Sequence, residues 1–216
     1  MIRIRGRTME QAKIDPITRN FEVNIARVKN LVAAYDQLGS QGAGRPSTMQ
    51  VDVLRSATVL LHASLEDVLR SSSEQLLATR GRDVLDGIGF PDGTDKTKQK
   101  FTLGDLHAFK GQSIDDLIQL AVITSLQRSN YNSVAEVAAA LERIGIDPGV
   151  LDPDQATLES IIKRRHLIVH RADKNPDPKR GRGVLMTQHL PKSTAETWIQ
   201  TITGVGTRIL NALASA

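Results

Sequence analysis

Apolar residues recur at helical spacing in every long segment of this 216-residue chain, and none of its segments shows the alternation typical of a strand. The longest periodic run follows Ser47-Thr48-Met49-Gln50, a capping box in which the serine and glutamine side chains each bind a backbone N–H at a helix start. Capping serines are also expected at Ser113, Ser133 and Ser193. The pattern therefore predicts an all-α fold, a bundle of helices packed through their apolar faces.

Two Asp-Pro pairs predict where other helices begin. Asp15-Pro16 would supply an N-cap and a proline in the first helical position, and Gly39 would end that helix. Asp152-Pro153 would start a later helix in the same way. The core-facing candidates of that helix are Leu158, Ile161, Ile162, Ile168 and Val169.

We expect a single domain over residues 1–216, because a chain of this length with 40% hydrophobic residues can bury one full core. Residues 82–112 are predicted to form a loop-rich insertion, since Pro91-Asp92-Gly93 is a turn signal within them. Residues 174–192 are predicted to form a basic loop, since Asn175-Pro176-Asp177-Pro178 cannot continue a helix.

The charge balance is mildly basic, with 28 Lys and Arg against 24 Asp and Glu and a formal net charge of +4. This balance is compatible with an anionic partner but does not require one. The absence of Cys excludes disulfides and a Cys nucleophile, and a reducing cytosol is the simplest setting for it. There is no signal-peptide core and no window of about 18 apolar residues. We therefore expect a cytoplasmic protein that does not enter a membrane.

One segment departs from an ordinary amphipathic helix: Lys163-Arg164-Arg165-His166-Leu167-Ile168-Val169-His170-Arg171-Ala172-Asp173. Its cations and imidazoles lie directly beside an apolar run, whereas an amphipathic helix keeps its charges opposite the apolar stripe. His166 and His170, four residues apart, share one face of a helix. Arg165 and His170 lie about 140° apart around a straight helix. Those two side chains therefore converge only if Arg165 reaches round on its long side chain, the helix end frays, or a second chain brings its own copy.

Three kinds of site fit this segment. A metal site would use His-x-x-x-His, a common pair of zinc ligands, but Arg165 would repel a cation and the other histidines (His62, His107, His189) form no second pair. A structural role would place the cations at the end of the helix, where they bind the last carbonyls. A phosphate site would use a neutral His to deprotonate an RNA 2′-hydroxyl or His⁺ to protonate the leaving oxygen, while Arg binds the non-bridging oxygens.

A second polar series lies on the long predicted helix after Ser47, where His62, Glu66 and Arg70 are spaced by four residues. One interpretation is a solvated helix face with a single Glu–Arg pair, worth about 0.3–0.5 kcal/mol. The other is a polar seam that faces the His170 cluster. The sequence leaves both open.

The segment Arg165-His166-Leu167-Ile168-Val169-His170 resembles the R-[N/D/H]-x-x-x-H motif of the HEPN superfamily, and its wider context is most similar to the RiboL-PSP-HEPN branch. Leu61 to Arg70 is similar to an early helix of that branch, and Ser133 to Asp147 fits the region before its motif. The resemblance extends from about Gln50 to Ala214.

The resemblance implies a HEPN-like bundle of four core helices with additional short helices, and a homodimer in which two motifs share one cleft. Many members are metal-independent endoribonucleases used as toxins or in antiviral defence, and others only bind nucleotides or partner proteins. Arg165 and His170 would then be catalytic, with Arg165 on the phosphate and His170 as acid and base. Supporting positions would be His166, Glu66 and Asp173. No metal or cofactor is expected, and an antitoxin protein is a possible partner.

The basic residues around the motif are candidates for contact with an RNA backbone, which would make binding salt-dependent. They are Arg164, Arg171, Lys174, Lys179, Arg180 and Arg182. An ordinary basic surface loop is an equally good interpretation. Only seven aromatic residues are present, counting 4 Phe, 2 Tyr and 1 Trp, so we expect little recognition by base stacking. The hypotheses for function are thus an endoribonuclease, a non-catalytic binding module of the same family, and a purely structural helical adaptor.

Overall fold

The computed structural model describes residues 3–39, 46–91, 102–174 and 187–215, with side chains described from residue 11 onward. These residues form an all-α fold, as predicted, and their only extended pairing is an isolated bridge between Lys174 and Thr187. The α-helices in chain order are α1 (Arg3–Gly39), α2 (Thr48–Leu76), α3 (Arg82–Leu85), α4 (Ile114–Leu126), α5 (Val134–Arg143), α6 (Gln155–Arg171) and α7 (Lys192–Ser215). Short 3₁₀ helices occupy Leu77–Thr79, Asp105–Phe109 and Pro148–Asp154.

Helix α2 lies at the centre of the bundle and packs against α1, α4, α5, α6 and α7. Its apolar side chains recur at three- and four-residue intervals, and Leu54, Leu61, Leu65 and Leu69 are at most 1% exposed. Burial of each such leucine contributes roughly 1.5–3 kcal/mol relative to an exposed one. The central helix therefore holds the whole bundle together, and its polar residues meet the surrounding helices.

Three of the four predicted capping serines are confirmed. The side chains of Ser47, Ser113 and Ser133 each accept a hydrogen bond from the backbone N–H three residues later. The prediction at Ser193 is wrong, because α7 already begins at Lys192 and the carbonyl of Pro191 accepts from the N–H of Ala195.

The predicted start at Asp15-Pro16 is also wrong, since α1 runs from Arg3 through Pro16. A proline inside a helix costs about 3 kcal/mol through its missing N–H and its ring. Ile14 and Ile17 on either side of it are 7% and 6% exposed, and their burial is worth roughly 1.5–3 kcal/mol each. Tertiary packing therefore outweighs the local signal.

Helix α6 carries the predicted site and differs from expectation at both ends. It begins at Gln155, not at Asp152, because a 3₁₀ helix occupies the preceding residues. Leu158, Ile161 and Ile162 are buried as predicted, whereas Ile168 is half-buried and Val169 is 48% exposed. The last turns of α6 thus reach the surface. The face of α6 that is buried at Leu158, Ile161 and Ile162 continues with the charged Arg165 and then with the exposed Val169, so its apolar character ends before the helix does.

The two predicted loops are described in part. In the insertion at 82–112, residues 92–101 lie outside the described residues, and neither α3 nor the 3₁₀ helix Asp105–Phe109 contains a buried residue. In the basic loop at 174–192, the described ends are joined by the Lys174–Thr187 bridge. Lys179, Arg180 and Arg182 lie outside the described residues. Among the helices described, none combines the length and apolar character that a bilayer crossing requires.

Candidate active site

Arg165 lies on the inward side of α6 and reaches across to α2. Its Nη2 is 3.8 Å from Oε1 of Glu66, and its Nη1 donates a hydrogen bond of 3.2 Å to Oδ1 of Asn132. The side chains of Arg165 and Glu66 are only 21% and 22% exposed, so the pair is partly shielded from water. The guanidinium is thus held from two directions at the edge of the core.

Asn132 is itself held by the start of α5. Its backbone N–H donates a hydrogen bond of 2.6 Å to Oε2 of Glu136, and the N–H of Glu136 donates 3.1 Å to the hydroxyl of Ser133. These two hydrogen bonds fix the backbone just before the helix. The backbone that carries the Asn132 side chain is therefore held in place next to Arg165.

His62 lies beneath Glu66 and is almost fully buried, at 1% exposed. Its Nε2 is 3.1 Å from the carbonyl oxygen of Tyr131, which only accepts, so we assign the hydrogen to Nε2. Burial first, and then the charge of Arg165, lowers the pKa of His62 to about 4. The 3.5 Å approach of His62 Nδ1 to Glu66 Oε1 is therefore not an ion pair at neutral pH.

Two opposing effects act on the pKa of Glu66. Burial raises the pKa of its carboxyl, while the nearby guanidinium groups of Arg165 and Arg70 oppose that shift. Arg70 does not bond to Glu66 in this structure, because its guanidinium donates to the carbonyls of Leu126 and Ser129. The solvated-face interpretation of this series is therefore wrong. The residues form a polar seam, and that seam ends at Arg165.

His166 and His170 lie together on an exposed face of α6, as their spacing predicted. Their ring centroids are 4.6 Å apart with the planes tilted by 45°. No hydrogen bond or ion pair joins either ring to Arg165 within the part of the chain described. The two proposed catalytic groups of one chain thus face different directions, in keeping with the angle of about 140° between them.

Asp173 follows α6 and is completely buried. It accepts 2.8 Å hydrogen bonds from Arg164 Nη2 and from Arg55 Nε, and Arg164 also donates to the backbone and side-chain oxygens of Gln188. Burial lowers the pKa of Arg164 while Asp173 raises it. The structure contradicts the assignment of Arg164 to RNA contact. Its side chain is only 11% exposed, and its charge is paired with the buried carboxylate of Asp173.

The remaining predicted RNA contacts are placed as follows. Arg171 and Lys174 are exposed at the end of α6, next to His170 in sequence, and their assignment to RNA stays a prediction. Arg180 lies outside the described residues. Within the described ranges, no cluster of three or more His, Asp or Glu residues comes together as metal ligands do.

Two residues of this region escaped sequence reasoning. Asn132 has one usable signal, since it directly precedes the capping serine of α5 and is thereby fixed in place. Arg55 has no local signal, because its partner Asp173 is 118 residues away in the chain. Its role depends entirely on how α2 crosses α6.

In the comparison with protein families, the family model RiboL-PSP-HEPN matches residues 22–182, about three quarters of the chain. The comparison finds no match among curated proteins and none among solved structures. HEPN domains are associated with nuclease and other RNA-related functions, and the matched range contains the whole of α6 with Arg165 and His170. The chain therefore belongs to the RiboL-PSP-HEPN family.

Proposed function

We propose that this protein is a metal-independent endoribonuclease that acts as a homodimer, with Arg165 and His170 as its catalytic residues. The observation that carries the proposal is that Glu66 and Asn132 hold the guanidinium of Arg165 in place. Arg165 lies on α6, the same helix that exposes His170. A guanidinium fixed in this way presents its remaining N–H groups in a defined direction, which is what an anionic transition state requires.

The proposed reaction is an internal phosphoryl transfer. Neutral His170 accepts the proton of the RNA 2′-hydroxyl, the 2′-oxygen bonds to phosphorus, and the bond from phosphorus to the 5′-oxygen breaks. The His170 imidazolium formed in this way donates the proton to the departing 5′-oxygen, which leaves a 2′,3′-cyclic phosphate and a free 5′-hydroxyl. Arg165 donates hydrogen bonds to the non-bridging oxygens, on which negative charge increases in the transition state. DNA lacks the attacking hydroxyl and would not be cleaved.

The proposed dimer is supported by the different surroundings of the two proposed catalytic groups. Arg165 contacts Glu66 of α2 while His170 is exposed, and within the described residues no hydrogen bond or ion pair joins the two side chains. A second copy packed against the end of α6 would supply the missing group to each site.

The test is cleavage of RNA by the purified protein with and without EDTA, beside Arg165→Ala and His170→Ala. Loss of a general acid or base is expected to slow cleavage about 10²- to 10⁴-fold. His107→Ala and Arg82→Ala are matched controls, because both residues are exposed and lie in the insertion. Activity that requires a divalent metal, or a His170→Ala protein as active as the wild type, would contradict the proposal.

A non-catalytic binding module is the second candidate, and the separation of Arg165 from His170 within one chain favours it. It predicts that RNA or a nucleotide binds without turnover and that His170→Ala binds as well as the wild type. Light scattering tests the nuclease proposal at the level of assembly, since that proposal requires a dimer and a monomer in solution would contradict it. A role as a toxin or defence effector in the cytoplasm makes a separate prediction. Expression of the wild type would then slow cell growth, and expression of His170→Ala would not. An antitoxin protein, if one is the partner, would suppress the effect of the wild type.

A further inference from the structure

A buried ion cluster follows the last turn of α6, three residues beyond His170. It consists of Arg55, Arg164, Asp173 and Gln188, and we call it the α6 clamp. Oδ2 of Asp173 accepts from both arginines at 2.8 Å, and both arginines also donate to the backbone oxygen of Gln188, at 3.4 Å from Arg55 and 3.0 Å from Arg164. The clamp therefore joins α2, the end of α6 and the segment that leads to α7.

The backbone at the clamp is held in an unfavourable conformation. Ala172 and Asp173 have φ of 47° and 56°, in the left-handed region that a residue with a Cβ atom rarely adopts. The N–H of Asp173 donates 3.0 Å to the carbonyl of Leu167, and the N–H of Gln188 donates 3.1 Å to the carbonyl of Asp173. Such a conformation persists only where surrounding contacts over-determine it.

We propose that the α6 clamp positions His170, so that Asp173, Arg55 and Arg164 act on the reaction through the backbone of the last helical turn. Apart from its contact with His166, the His170 ring is exposed, so the place of its imidazole depends on where that turn ends. This inference rests on the proposed function for its catalytic consequence, but its structural content does not.

The charges of the clamp make the turn sensitive to a single carboxylate. Within the described ranges, Asp173 is the only buried acid beside Arg164, while Arg55 has a second partner in Asp52, which is 60% exposed. Asp173→Asn keeps the shape of the side chain but leaves the shielded guanidinium of Arg164 without a carboxylate partner, beside Arg55, whose remaining partner is the exposed Asp52. The repulsion between the two arginines is expected to open the left-handed turn and release the end of α6.

The other end of α6 provides a matched control. Asp154 pairs with Arg208 Nη2 at 2.5 Å, and Arg208 Nε donates 2.7 Å to the carbonyl of Val150. The two side chains are 34% and 25% exposed, for Arg208 and Asp154 respectively. Asp154→Asn therefore also weakens an Arg–Asp attachment of α6, but at the end far from His170.

The experiment compares wild type, Asp173→Asn and Asp154→Asn in thermal stability, backbone amide hydrogen exchange and the NMR resonances of the histidine rings. Both variants are expected to lower the melting temperature. Only Asp173→Asn is expected to speed exchange at residues 167–174 and to shift the ring resonances of His166 and His170. If the two variants change these signals alike, or neither changes them, the inference is wrong, whether or not the protein cleaves RNA.

Cleavage kinetics supply the catalytic readout. Displacement of a catalytic group by about 1 Å costs up to about a hundredfold in rate, so Asp173→Asn should lower kcat by about ten- to a hundredfold with KM nearly unchanged. Asp154→Asn should leave kcat unchanged at a temperature where both variants are folded. If Asp173→Asn does not fold, Arg55→Gln is the milder variant, because it leaves Asp173 paired with Arg164. An active wild type whose clamp variants keep full kcat would overturn the positioning role.

Discussion

Acidification is expected to destabilise this protein through the protonation of one buried residue, His62. The native state keeps its imidazole neutral, because burial and the charge of Arg165 lower the pKa to about 4 from the ordinary histidine value of 6.5. In the unfolded chain the same ring takes up a proton below about pH 6.5. Between these two values the unfolded state binds more protons than the native state, so the free energy of unfolding falls as the pH falls.

The magnitude follows from the shift. At about 1.4 kcal/mol for each pH unit, a displacement from 6.5 to about 4 amounts to roughly 3 kcal/mol by the time the pH reaches the native value. Glu66 acts in the opposite direction at the acidic end of this window. Burial raises the pKa of Glu66, so its native carboxyl takes up a proton before the unfolded one does, and the fold regains part of the loss.

The assay is urea unfolding of wild type and His62→Gln, followed by circular dichroism between about pH 7 and pH 4. Glutamine can still donate to the carbonyl of Tyr131 but does not titrate, and Glu66 remains in both proteins. The difference in unfolding free energy between the two proteins should decrease by about 3 kcal/mol over this range. His107→Gln, at an exposed position, should show no such change. A difference that stays constant with pH would refute the account of His62.

Two further predictions concern packing and the site. A Cβ atom at Gly206 would collide with the buried ring of Phe21, so Gly206→Ala should destabilise the fold by roughly 1–3 kcal/mol. Gly204→Ala in the same helix should not, because its Cβ atom would meet only the flexible end of a side chain. Equal melting temperatures for the two variants would contradict the packing of α1 on α7. Asn132→Ala removes an acceptor from Arg165 and, under the proposed function, should lower kcat/KM about tenfold with stability little changed; an unaltered kcat/KM would show that Asn132 does not help to hold the guanidinium.

Local signals in the sequence predicted the helices where the interacting groups are close in the chain. The caps at Ser47, Ser113 and Ser133 bind a backbone group three residues away, so the short segment contains both partners. The same reasoning failed at Pro16, where the local cost of a proline is exceeded by the burial of its neighbours against distant helices.

The two adjacent arginines of α6 illustrate the limit at the site. Arg164 and Arg165 are identical residues in adjacent positions, yet successive residues of a helix point about 100° apart. One therefore enters the clamp with Asp173, and the other meets Glu66 and Asn132. Sequence reasoning assigned both to RNA or its phosphate, and only Arg165 keeps that assignment.

By itself, the sequence determined the all-α class and the shared face of His166 and His170, because both follow from the periodicity or spacing of neighbouring residues. The family was indicated by the resemblance of the motif around Arg165 and His170. Only the tertiary structure decided which charged side chains form ion pairs within the protein. The partners of Asp173 and Arg165 come from α2 and from the start of α5, and their distances depend on how helices far apart in the chain pack together.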